Sequence, residues 1–488
     1  MPTATNDRWN RAAFLFLLLF AAALPHSIAA AQAAVGVAAL VWAVGLVARR
    51  RRPTPTPLDL PLLLFLGVSA LAAVFSLEPA LSLSKLRGTG LALIVLVTAG
   101  ILTTRRQAAI LVSVLLGSAT LGAVAADWEK IVGRGAEVVE LSPTSPFGPY
   151  LQPRDVILRC DQNDIHSPDQ LDEILARHDL SAPLACEGLR GGILPFAFTL
   201  PPERFPKPAP DRVWGYDVKP SRSIRARGTY SHFVTYAEVL LQLTALAGGL
   251  WLVYPRKWSP ASAGVALVAM LLAGALAATF TRASWAALVV AGLAMLWTRL
   301  GWRLRLATLL VVPPALLGLN TLLVKARGVG FYNPADLSVQ YRRMMWEDGW
   351  RLISEHPWLG VGMDTVLVRW QELGLRAYQQ LKLHSHFHST PVQLAVERGL
   401  LGLAAWLLLM GLYLWLLLGL VARTRRGEDG WSHGLAVGIF GATVGFLLSG
   451  LLHYNFGDSE VVMVFWLLAG VAVSLDRLIP SHARVESS

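Results

Sequence analysis

The feature that most constrains the fold is a recurring pattern of long apolar runs. Mostly apolar stretches of about 17–23 residues follow one another through much of the 488-residue chain, and each is long enough to cross a hydrocarbon core of roughly 30 Å. Hydrophobic residues make up 54% of the sequence and charged residues only 15%, whereas soluble domains carry about 25% charged residues. The sequence therefore predicts an all-α polytopic membrane protein with about twelve transmembrane helices and one small inserted domain.

The predicted spans begin close to the first residue of the sequence. No convincing signal-peptidase site follows the first run, which starts near Phe14, so we interpret this run as a retained helix. A tight turn at 24–27 joins the first two spans, and their division into two helices stays open. The spans are predicted near 12–28, 30–48, 59–77, 88–104, 106–126, 233–254, 260–280, 283–299, 304–324, 396–421, 433–452 and 459–476.

The spans divide the chain into six segments of different character. Two of them, 127–203 and 204–232, are polar and lie between groups of helices. The segments are 1–126 with about five transmembrane helices, 127–203 as the inserted domain, 204–232 as a Pro-rich linker and interfacial segment, 233–324 with further transmembrane helices, 325–395 as a polar loop, and 396–488 with the last helices and a cytoplasmic tail.

Basic residues cluster in every second short loop, which is the positive-inside pattern of membrane proteins. This pattern places both termini in the cytoplasm and explains the net charge of +11 by orientation rather than by nucleic-acid binding. The clusters are Arg49–Arg52, Arg105-Arg106, Arg256-Lys257, Arg299 with Arg303 and Arg305, and Arg423 with Arg425-Arg426. The segments predicted to face the opposite side are 78–87, 127–232, the turn at Thr281-Arg282, 325–395, and a turn at 453–460.

The insert has the sequence pattern of a small α+β domain. From 135 to 192, apolar and polar residues alternate around turn signals, which predicts the order strand, loop, strand, turn, strand, helix and strand. This segment resembles a PDZ domain of the bacterial periplasmic type in four places: SPTSPF at 142–147, Leu151–Leu158, Asn163-Asp164 and SPDQLDEIL at 167–175. Arg154 departs from the resemblance, because such domains usually have glycine there. The resemblance implies binding of peptide C-termini by strand addition, and the alternative is a spacer or lid that binds no peptide.

Both cysteines of the chain, Cys160 and Cys186, lie on predicted strands of the insert. They could be neighbours, and an extracytoplasmic location would permit a disulfide. A disulfide and two free thiols are both left open. The Pro-rich stretch 201–210 is interpreted as an extended linker that returns the chain to the membrane.

Three histidines in five positions precede one of the most apolar runs, in HSHFHSTP at 384–391. Thr390 and Pro391 are typical of a helix start, with threonine as the cap and proline in the first helical position. His388 would then lie beside the positive end of a transmembrane helix, which favours a neutral imidazole and attracts phosphate. A neutral imidazole can act as a base. The alternative is a histidine that merely sits at the membrane interface.

Several arginines are expected on the same side of the membrane as His388. Arg282 lies between two spans, Arg342 and Arg343 lie in an amphipathic segment at 338–362, and Arg225 with Arg227 approaches the span that starts near 233. Guanidinium groups bind phosphate oxygens in a bidentate manner, so this set suits a phosphate-activated, lipid-carried substrate. The alternatives are snorkelling to lipid phosphate for Arg282 and a solvated helix face for Arg342 and Arg343.

Further polar candidates accompany these arginines. Tyr230 and His232, with Tyr236, could line an acceptor cleft or form an interfacial aromatic belt. His386 is a candidate substrate contact, and its alternative, like that of His384, is an ordinary polar loop residue. Two histidines without a third ligand make zinc binding improbable, so no metal and no cofactor is expected.

Four motifs, in order along the chain, resemble the superfamily of O-antigen ligases and O-antigen polymerases. They are Thr281-Arg282-Ala283; Arg342 and Trp346 followed by His356-Pro357-Trp358-Leu359-Gly360-Val361-Gly362; His388-Ser389 with Val392, Glu397 and Gly399; and His453 with Asp458 before the final span, which contains Phe465–Gly470. The chain departs from the family pattern at Ser389, where asparagine is usual, at Val392, where leucine is usual, and in the PDZ-like insert.

The resemblance implies transfer of a glycan from an undecaprenyl-diphosphate carrier to an acceptor hydroxyl. The reaction would be inverting and metal-independent, on the periplasmic face of the bacterial inner membrane. The segment 325–395 would be the periplasmic catalytic loop. His388 would be the general base, and Arg282 and Arg342 would hold the diphosphate and neutralise the leaving group. The implied partners are the lipid-linked donor, a lipid A core or glycan acceptor, membrane lipid, and an envelope protein recruited by the insert.

Three other functions remain as alternatives. A polymerase of the same superfamily shares the motifs and differs only in its acceptor. A PDZ-containing membrane protease would need a motif such as H-E-x-x-H or G-x-S-x-G, and neither occurs. A PDZ-containing transporter would place ionisable residues near the bilayer midplane, whereas the predicted spans are almost free of charge.

Overall fold

The structure is a computed structural model that describes residues 8–179, 181–191, 194–205, 214–327, 337–381, 386–427 and 429–479. The helices are α1 (Arg8–Ala23), α2 (Ile28–Ala48), α3 (Asp59–Val74), α4 (Pro79–Gly90), α5 (Ile94–Ile101), α6 (Arg105–Val132), α7 (Pro168–Arg177), α8 (Phe233–Val253), α9 (Pro260–Ala278), α10 (Arg282–Arg299), α11 (Trp302–Arg327), α12 (Leu337–Glu355), α13 (Thr365–Val368), α14 (Arg376–Leu381), α15 (Thr390–Arg425), α16 (Gly430–Ser449) and α17 (Ser459–Leu478). The strands are β1 (Arg134–Leu141), β2 (Val156–Cys160), β3 (Asn163–Asp164), β4 (Leu184–Arg190), β5 (Leu194–Leu200) and β6 (Tyr216–Ser221).

The chain divides into two compact units. The helical unit comprises Met1–Thr120, Ala237–Ala273 and Thr281–Ser488, and the sheet unit comprises Leu121–Tyr236 and Gly274–Phe280. Helix α8 passes from one unit to the other near its first turn.

Eight helices within the described ranges are long and apolar enough to cross a membrane, which makes the chain a multi-pass membrane protein. They are α2, the continuous stretch Pro79–Ile101 that joins α4 to α5, α6, α8, α9, α15, α16 and α17. The other four predicted spans coincide with α1, α3, α10 and α11, of which α1 and α3 have only 16 residues each. The count of about twelve therefore stays a prediction.

Helix α15 is central in the helical unit, where it packs against α3, α12, α16 and α17. The turn between α16 and α17 is fixed in this core by Phe456, whose ring meets Phe65 of α3 at 5.7 Å, Trp406 of α15 at 5.9 Å and Trp466 of α17 at 6.0 Å in edge-to-face geometry. One aromatic side chain thus ties this turn to three helices. The same turn contacts Thr390, two residues after His388.

The sheet unit is built around an antiparallel sheet with strand order β5-β4-β2-β1-β6, and β3 pairs with β2. From β1 to β4, the order strand, strand, strand, helix and strand is the one that the alternating pattern predicts. Helix α7 begins with Pro168 at its first position and buries Leu171 and Leu175, four residues apart on one face, in the core. Strand β6 pairs with β1, although it lies in the segment interpreted from the sequence as linker and interface. Residues 206–213 of that segment lie outside the described residues.

Cys160 and Cys186 form a disulfide. They are directly opposite each other on the neighbouring strands β2 and β4, and both are buried. Alternation along each strand turns both side chains to the core face, so the pair closes a covalent link inside the sheet. This decides the choice that the sequence left open.

Arg154 adopts a left-handed backbone conformation with φ of 74°. Its backbone N–H donates to the Val138 carbonyl at 2.8 Å, which fixes the turn that leads into β2. A side chain in this conformation costs about 1–2 kcal/mol because Cβ approaches the backbone, and glycine avoids that cost. Arg154 therefore carries a backbone strain that a glycine at this position would not.

We expect Arg154→Gly to stabilise the sheet unit by about 1 kcal/mol, since relief of the strained backbone exceeds the extra chain entropy of glycine. Arg154→Ala is the matched control, because it removes the exposed side chain but keeps Cβ and so the strain. The measurement is pulse proteolysis of the full-length protein across a urea series, followed on fragments of 127–232. Equal midpoints for the glycine and alanine variants would contradict the explanation.

Candidate functional site

The segment before α15 has a constrained backbone. Helix α15 begins at Thr390 with Ser389 as N-cap, so Thr390 is the first helical residue and Pro391 the second. The sequence pattern places this start one residue too late, because serine and threonine are both good cap residues. His388 has φ of 49°, a left-handed conformation that is uncommon outside glycine and that histidine adopts more often than most residues. The imidazole is therefore presented at the helix start by a backbone that the surroundings must hold.

The two described histidines of the cluster contact each other. The His388 backbone N–H donates to Nδ1 of His386 at 3.2 Å, and their ring centroids are 4.5 Å apart. The His386 ring also meets the ring of Tyr454, with centroids 5.6 Å apart. His384 lies outside the described residues.

Helix α12 holds the His388 segment from one side. The ring of Tyr341 meets the His388 imidazole edge-on with centroids 5.5 Å apart, and Nε1 of Trp346 donates to the Phe387 carbonyl at 2.9 Å. Phe387 is fully buried, and its N–H donates to Oε1 of Gln393 at 2.7 Å. Burial raises the pKa of Tyr341, so this phenol stays protonated beside the imidazole. His388 thus directly follows the buried Phe387 and contacts the ring of Tyr341.

The arginines of α12 take different positions. Arg342 follows Tyr341 and is half-buried, whereas Arg343 is exposed and its Nε donates to Oε1 of Glu347 at 3.0 Å. Hydrogen bonds from Arg343 and then Arg376 lower the pKa of Glu347. The structure therefore brings Arg342 to the helix turn that contacts His388 and pairs Arg343 with an acid on the exposed face.

Arg282 is the first residue of α10 and is exposed. Ser284, two residues later, is buried and donates to Oε1 of Glu238 at 3.1 Å. The same carboxylate accepts from Asn455, whose Oδ1 accepts from Thr390 at 3.0 Å. The starts of α10 and α15, which carry Arg282 and His388, are thus connected through a short series of buried hydrogen bonds.

Five of the candidate residues lie in the sheet unit. The Arg225 guanidinium lies 4.5 Å from the centroid of the Phe233 ring, and the ring of His232 stacks on the same phenylalanine with centroids 4.4 Å apart. The rings of Tyr230 and Tyr236 stack at 5.2 Å, and the Arg227 carbonyl accepts from the Tyr230 N–H at 3.0 Å. These contacts form a local aromatic group at the start of α8.

Helix α15 is interrupted at Gly399, where φ is 66° and ψ is −177°. The loop 356–362 fills the interruption with its own backbone: Leu400 N–H donates to the Pro357 carbonyl at 2.7 Å, and Val361 and Gly362 N–H donate to the Val396 and Glu397 carbonyls at 2.9 and 3.0 Å. A Cβ on Gly399 would lie 2.1 Å from the Trp358 carbonyl oxygen, and one on Gly360 would lie 2.3 Å from the Val396 carbonyl oxygen. Only glycine allows the loop and the helix to approach this closely.

Glu397 fixes the next residues of the same loop. Its Oε1 accepts from the Asp364 N–H at 3.0 Å and from Nε2 of Gln393 at 2.8 Å, and its Oε2 accepts from the Tyr454 hydroxyl at 3.4 Å. Asp364 has φ of 57° and pairs with Lys85 of α4 at 2.6 Å. The carboxylate of Glu397 therefore joins α15 to the loop after Gly362 and to the turn between α16 and α17.

One buried charged residue of the helical unit, Glu238, was not singled out from the sequence, whereas Glu397 was named there as part of a motif. The spans were expected to be almost free of charge, but Glu238 lies in α8 and Glu397 and Arg398 lie in α15, and all three are buried. Glu238 stands alone in an apolar run, and a lone ionisable residue in a span is a recognised signal of a functional or structural site. Among the residues that the structure describes, no three His, Cys, Asp or Glu side chains are grouped so as to hold a metal ion.

The family comparison matches the region that carries the three candidate catalytic residues and the interruption of α15. A family model described as O-antigen ligase (Wzy_C) matches residues 265–407, which include Arg282, Arg342, loop 356–362 and His388. No curated protein matches the chain. The match covers less than a third of the chain, and it supports a relationship to the O-antigen ligase superfamily and an enzymatic, membrane glycan-transfer role in general terms.

We expect Gly399→Ala to destabilise the helical unit by about 3 kcal/mol or more, because the backbone conformation at 399 is accessible essentially to glycine alone and the new methyl group would overlap the Trp358 carbonyl. Gly411→Ala is the matched control in the same helix, since no heavy atom lies within 4 Å of the place that its new Cβ would occupy. The measurement is the thermal midpoint of the purified protein in detergent. Equal midpoints for the two variants would show that the interruption does not hold the loop.

Proposed function

We propose that the protein transfers a glycan from an undecaprenyl-diphosphate carrier to an acceptor hydroxyl, with inversion at the anomeric carbon, on the periplasmic face of the inner membrane. The observation that carries this proposal is the O-antigen ligase match over 265–407, because this region contains the candidate base and both candidate diphosphate ligands. The resemblance of the four motifs noted from the sequence agrees with it.

The proposed mechanism assigns one role to each charged or basic group. The acceptor hydroxyl gives its proton to the His388 imidazole while its oxygen attacks the anomeric carbon of the donor sugar. The bond between that carbon and the phosphate oxygen breaks, and undecaprenyl diphosphate leaves with the electron pair. Arg282 and Arg342 hold the diphosphate and stabilise its growing charge, so the proposal needs no metal or cofactor.

The geometry around His388 supports its role as the base. The imidazole lies at the start of α15, where the partial positive charge of the helix end disfavours protonation of the ring. Tyr341 contacts the imidazole edge-on, and Arg342 follows Tyr341 on the same helix. Arg343, Arg225, Arg227, Tyr230, His232 and His386 remain proposed substrate contacts.

The periplasmic orientation rests on two independent features. The basic clusters of the short loops assign 127–232 and 325–395 to the side away from the cytoplasm. The disulfide in the sheet unit suits an oxidising compartment and is rare in the bacterial cytoplasm. Two signals of different physical origin therefore favour the same side.

We expect His388→Ala to lower the rate of undecaprenyl diphosphate release by a factor of about 100 or more, because general-base catalysis typically contributes 10²–10⁴-fold to the rate. The assay uses purified full-length protein with undecaprenyl-diphosphate-linked glycan and, in separate reactions, lipid A core and glycan repeats as acceptors. Transfer to lipid A core identifies a ligase, and transfer to glycan identifies a polymerase.

The matched control for that assay is Gln152→Ala in the sheet unit, an exposed loop residue that is expected to leave transfer unchanged. Donor binding by the His388→Ala variant, measured separately, should persist, since the base is not assigned to the diphosphate. Transfer that survives loss of the imidazole would refute the base assignment.

We also propose that the sheet unit is PDZ-like and recruits an envelope protein through a peptide that adds to the edge of β6. Strand β6 is an outer strand of the sheet, and Tyr216 at its start hydrogen-bonds to Asp172 of α7. An edge strand beside a helix is the arrangement that peptide recognition by strand addition requires.

A photo-crosslinking residue at the exposed position Asp217 of β6 is therefore expected to capture one defined envelope protein in cells. The matched control is the same residue at Gln152, which is exposed in the loop before β2 and should capture nothing specific. Equal capture at both positions, or none at Asp217, would favour the spacer or lid.

A further inference from the structure

Helix α8 carries a carboxylate that is buried in the helical unit and fully engaged by other elements. Glu238 is 1% exposed. Its Oε1 accepts from Ser284 of α10 at 3.1 Å, from Ser449 of α16, and from Nδ1 of His453 at 2.9 Å, and its Oε2 accepts from Nδ2 of Asn455 at 3.1 Å. A buried carboxylate is tolerated only when hydrogen bonds replace its hydration. These four donors all come from outside α8, so the carboxylate joins three other parts of the bundle.

The turn between α16 and α17 passes this constraint to the start of α15. Oδ1 of Asn455 accepts from the Thr390 hydroxyl at 3.0 Å, and the same hydroxyl reaches the His453 carbonyl at 3.2 Å. The Thr390 N–H donates to the Gly450 carbonyl at 2.7 Å. His453 and Asn455 therefore each hydrogen-bond to the Thr390 hydroxyl and, through their side-chain nitrogens, to the Glu238 carboxylate.

Thr390 is only two residues after His388, so the contacts that fix Thr390 also constrain the backbone at His388. A left-handed backbone such as that of His388 persists only where its surroundings over-determine it. On the preceding side, Phe387 is buried and bonded to Trp346 and Gln393. On the following side, Thr390 is the anchor. If that anchor is loosened, the backbone at 388 can relax and turn the imidazole away.

We propose that Glu238 is a positioning residue that acts through His453 and Asn455 to hold Thr390 and thereby set the orientation of His388. The Glu238 carboxylate does not touch the substrate in this scheme. Its effect on turnover rests on the proposed function, whereas its effect on the backbone of 386–394 does not.

A purely structural role would give a different result, and the same helix offers the control. Gln242 is fully buried one turn further along α8, and its Nε2 donates to the Val461 carbonyl of α17 at 3.1 Å and to the backbone carbonyl of Glu238 at 3.5 Å. Gln242→Met removes a buried hydrogen bond to α17 without touching the turn that holds Thr390. A general loosening of the bundle would appear in both variants, whereas loss of the positioning contact would appear only in Glu238→Gln.

Hydrogen–deuterium exchange of the full-length protein tests the backbone part. We expect Glu238→Gln and Thr390→Val to accelerate exchange in the peptide 386–394 by about tenfold. Thr390→Val removes the buried hydrogen bonds of the helix start itself, and Glu238→Gln disturbs the hydrogen bonds that hold His453 and Asn455 in place for it. Thr390→Ser keeps the hydroxyl and should exchange as the wild type does, and so should Gln242→Met. Wild-type exchange in Glu238→Gln and Thr390→Val, or equal acceleration in Gln242→Met, would overturn the proposal.

The kinetics of undecaprenyl diphosphate release test the functional part. Glu238→Gln is expected to lower kcat by about tenfold or more, because the base is misplaced. Thr390→Val leaves the contact between Ser284 and the Glu238 carboxylate in place, so it is expected to lower kcat with the donor KM within about twofold. The double variant with Thr390→Val should be no slower than the slower single variant, since both act through one contact. Independent, multiplicative losses would contradict the scheme. Absence of transfer in the wild type would refute the proposed function, and the exchange result would still decide the positioning role. If Glu238→Gln fails to fold, the comparison of Thr390→Val with Thr390→Ser tests the same contact at the start of α15.

Discussion

The rest of the helical unit depends on the interruption of α15 at Gly399. A helix that breaks inside a bundle leaves peptide groups without partners, and in an apolar environment each such group is costly. Here the loop 356–362 supplies those partners from its own backbone, so the break and the loop stabilise each other. The approach is close enough that a methyl group at 399 or 360 would overlap a carbonyl oxygen. The helix start that follows His388 lies about two and a half turns before this break.

The motif residues then divide into two physical classes. Gly360, Gly399 and Glu397 have roles in this structure that are complete without any substrate, because they close the break and tie the loop to α15. Arg282 is exposed and Arg342 and His388 are only half-buried, so none of these three is placed by burial alone. A family motif in this region thus combines residues that build the fold with residues that are available for chemistry. A substitution in one class should change stability, and a substitution in the other should change transfer.

Much of the fold could be predicted from the sequence because its signals are local. Apolar run length predicts spans, and each predicted span coincides with a helix, while alternation at 135–192 predicts the strand and helix order of the sheet unit. Strand β6 could not be predicted, because a six-residue edge strand with a proline follows a Pro-rich stretch and its partner β1 is about 80 residues away. The pairing of Cys160 with Cys186 was likewise open, because the sequence of one strand does not determine its register relative to another strand.

The candidate residues of the site stand out in the sequence, whereas the contacts that hold them in place do not. His388, Arg282 and Arg342 stand out in the sequence because polar residues are rare next to apolar runs. Glu238 stands out for the same reason, yet nothing local tells that its carboxylate meets Ser284, Ser449, His453 and Asn455, which are between 46 and 217 residues away. A membrane bundle can hold such a carboxylate only if the donors from distant helices arrive together, so the contact requires the correct packing of α8, α10 and α16. The same requirement makes the carboxylate informative, because a side chain this costly to bury is most simply explained by the geometry that it enforces at the start of α15.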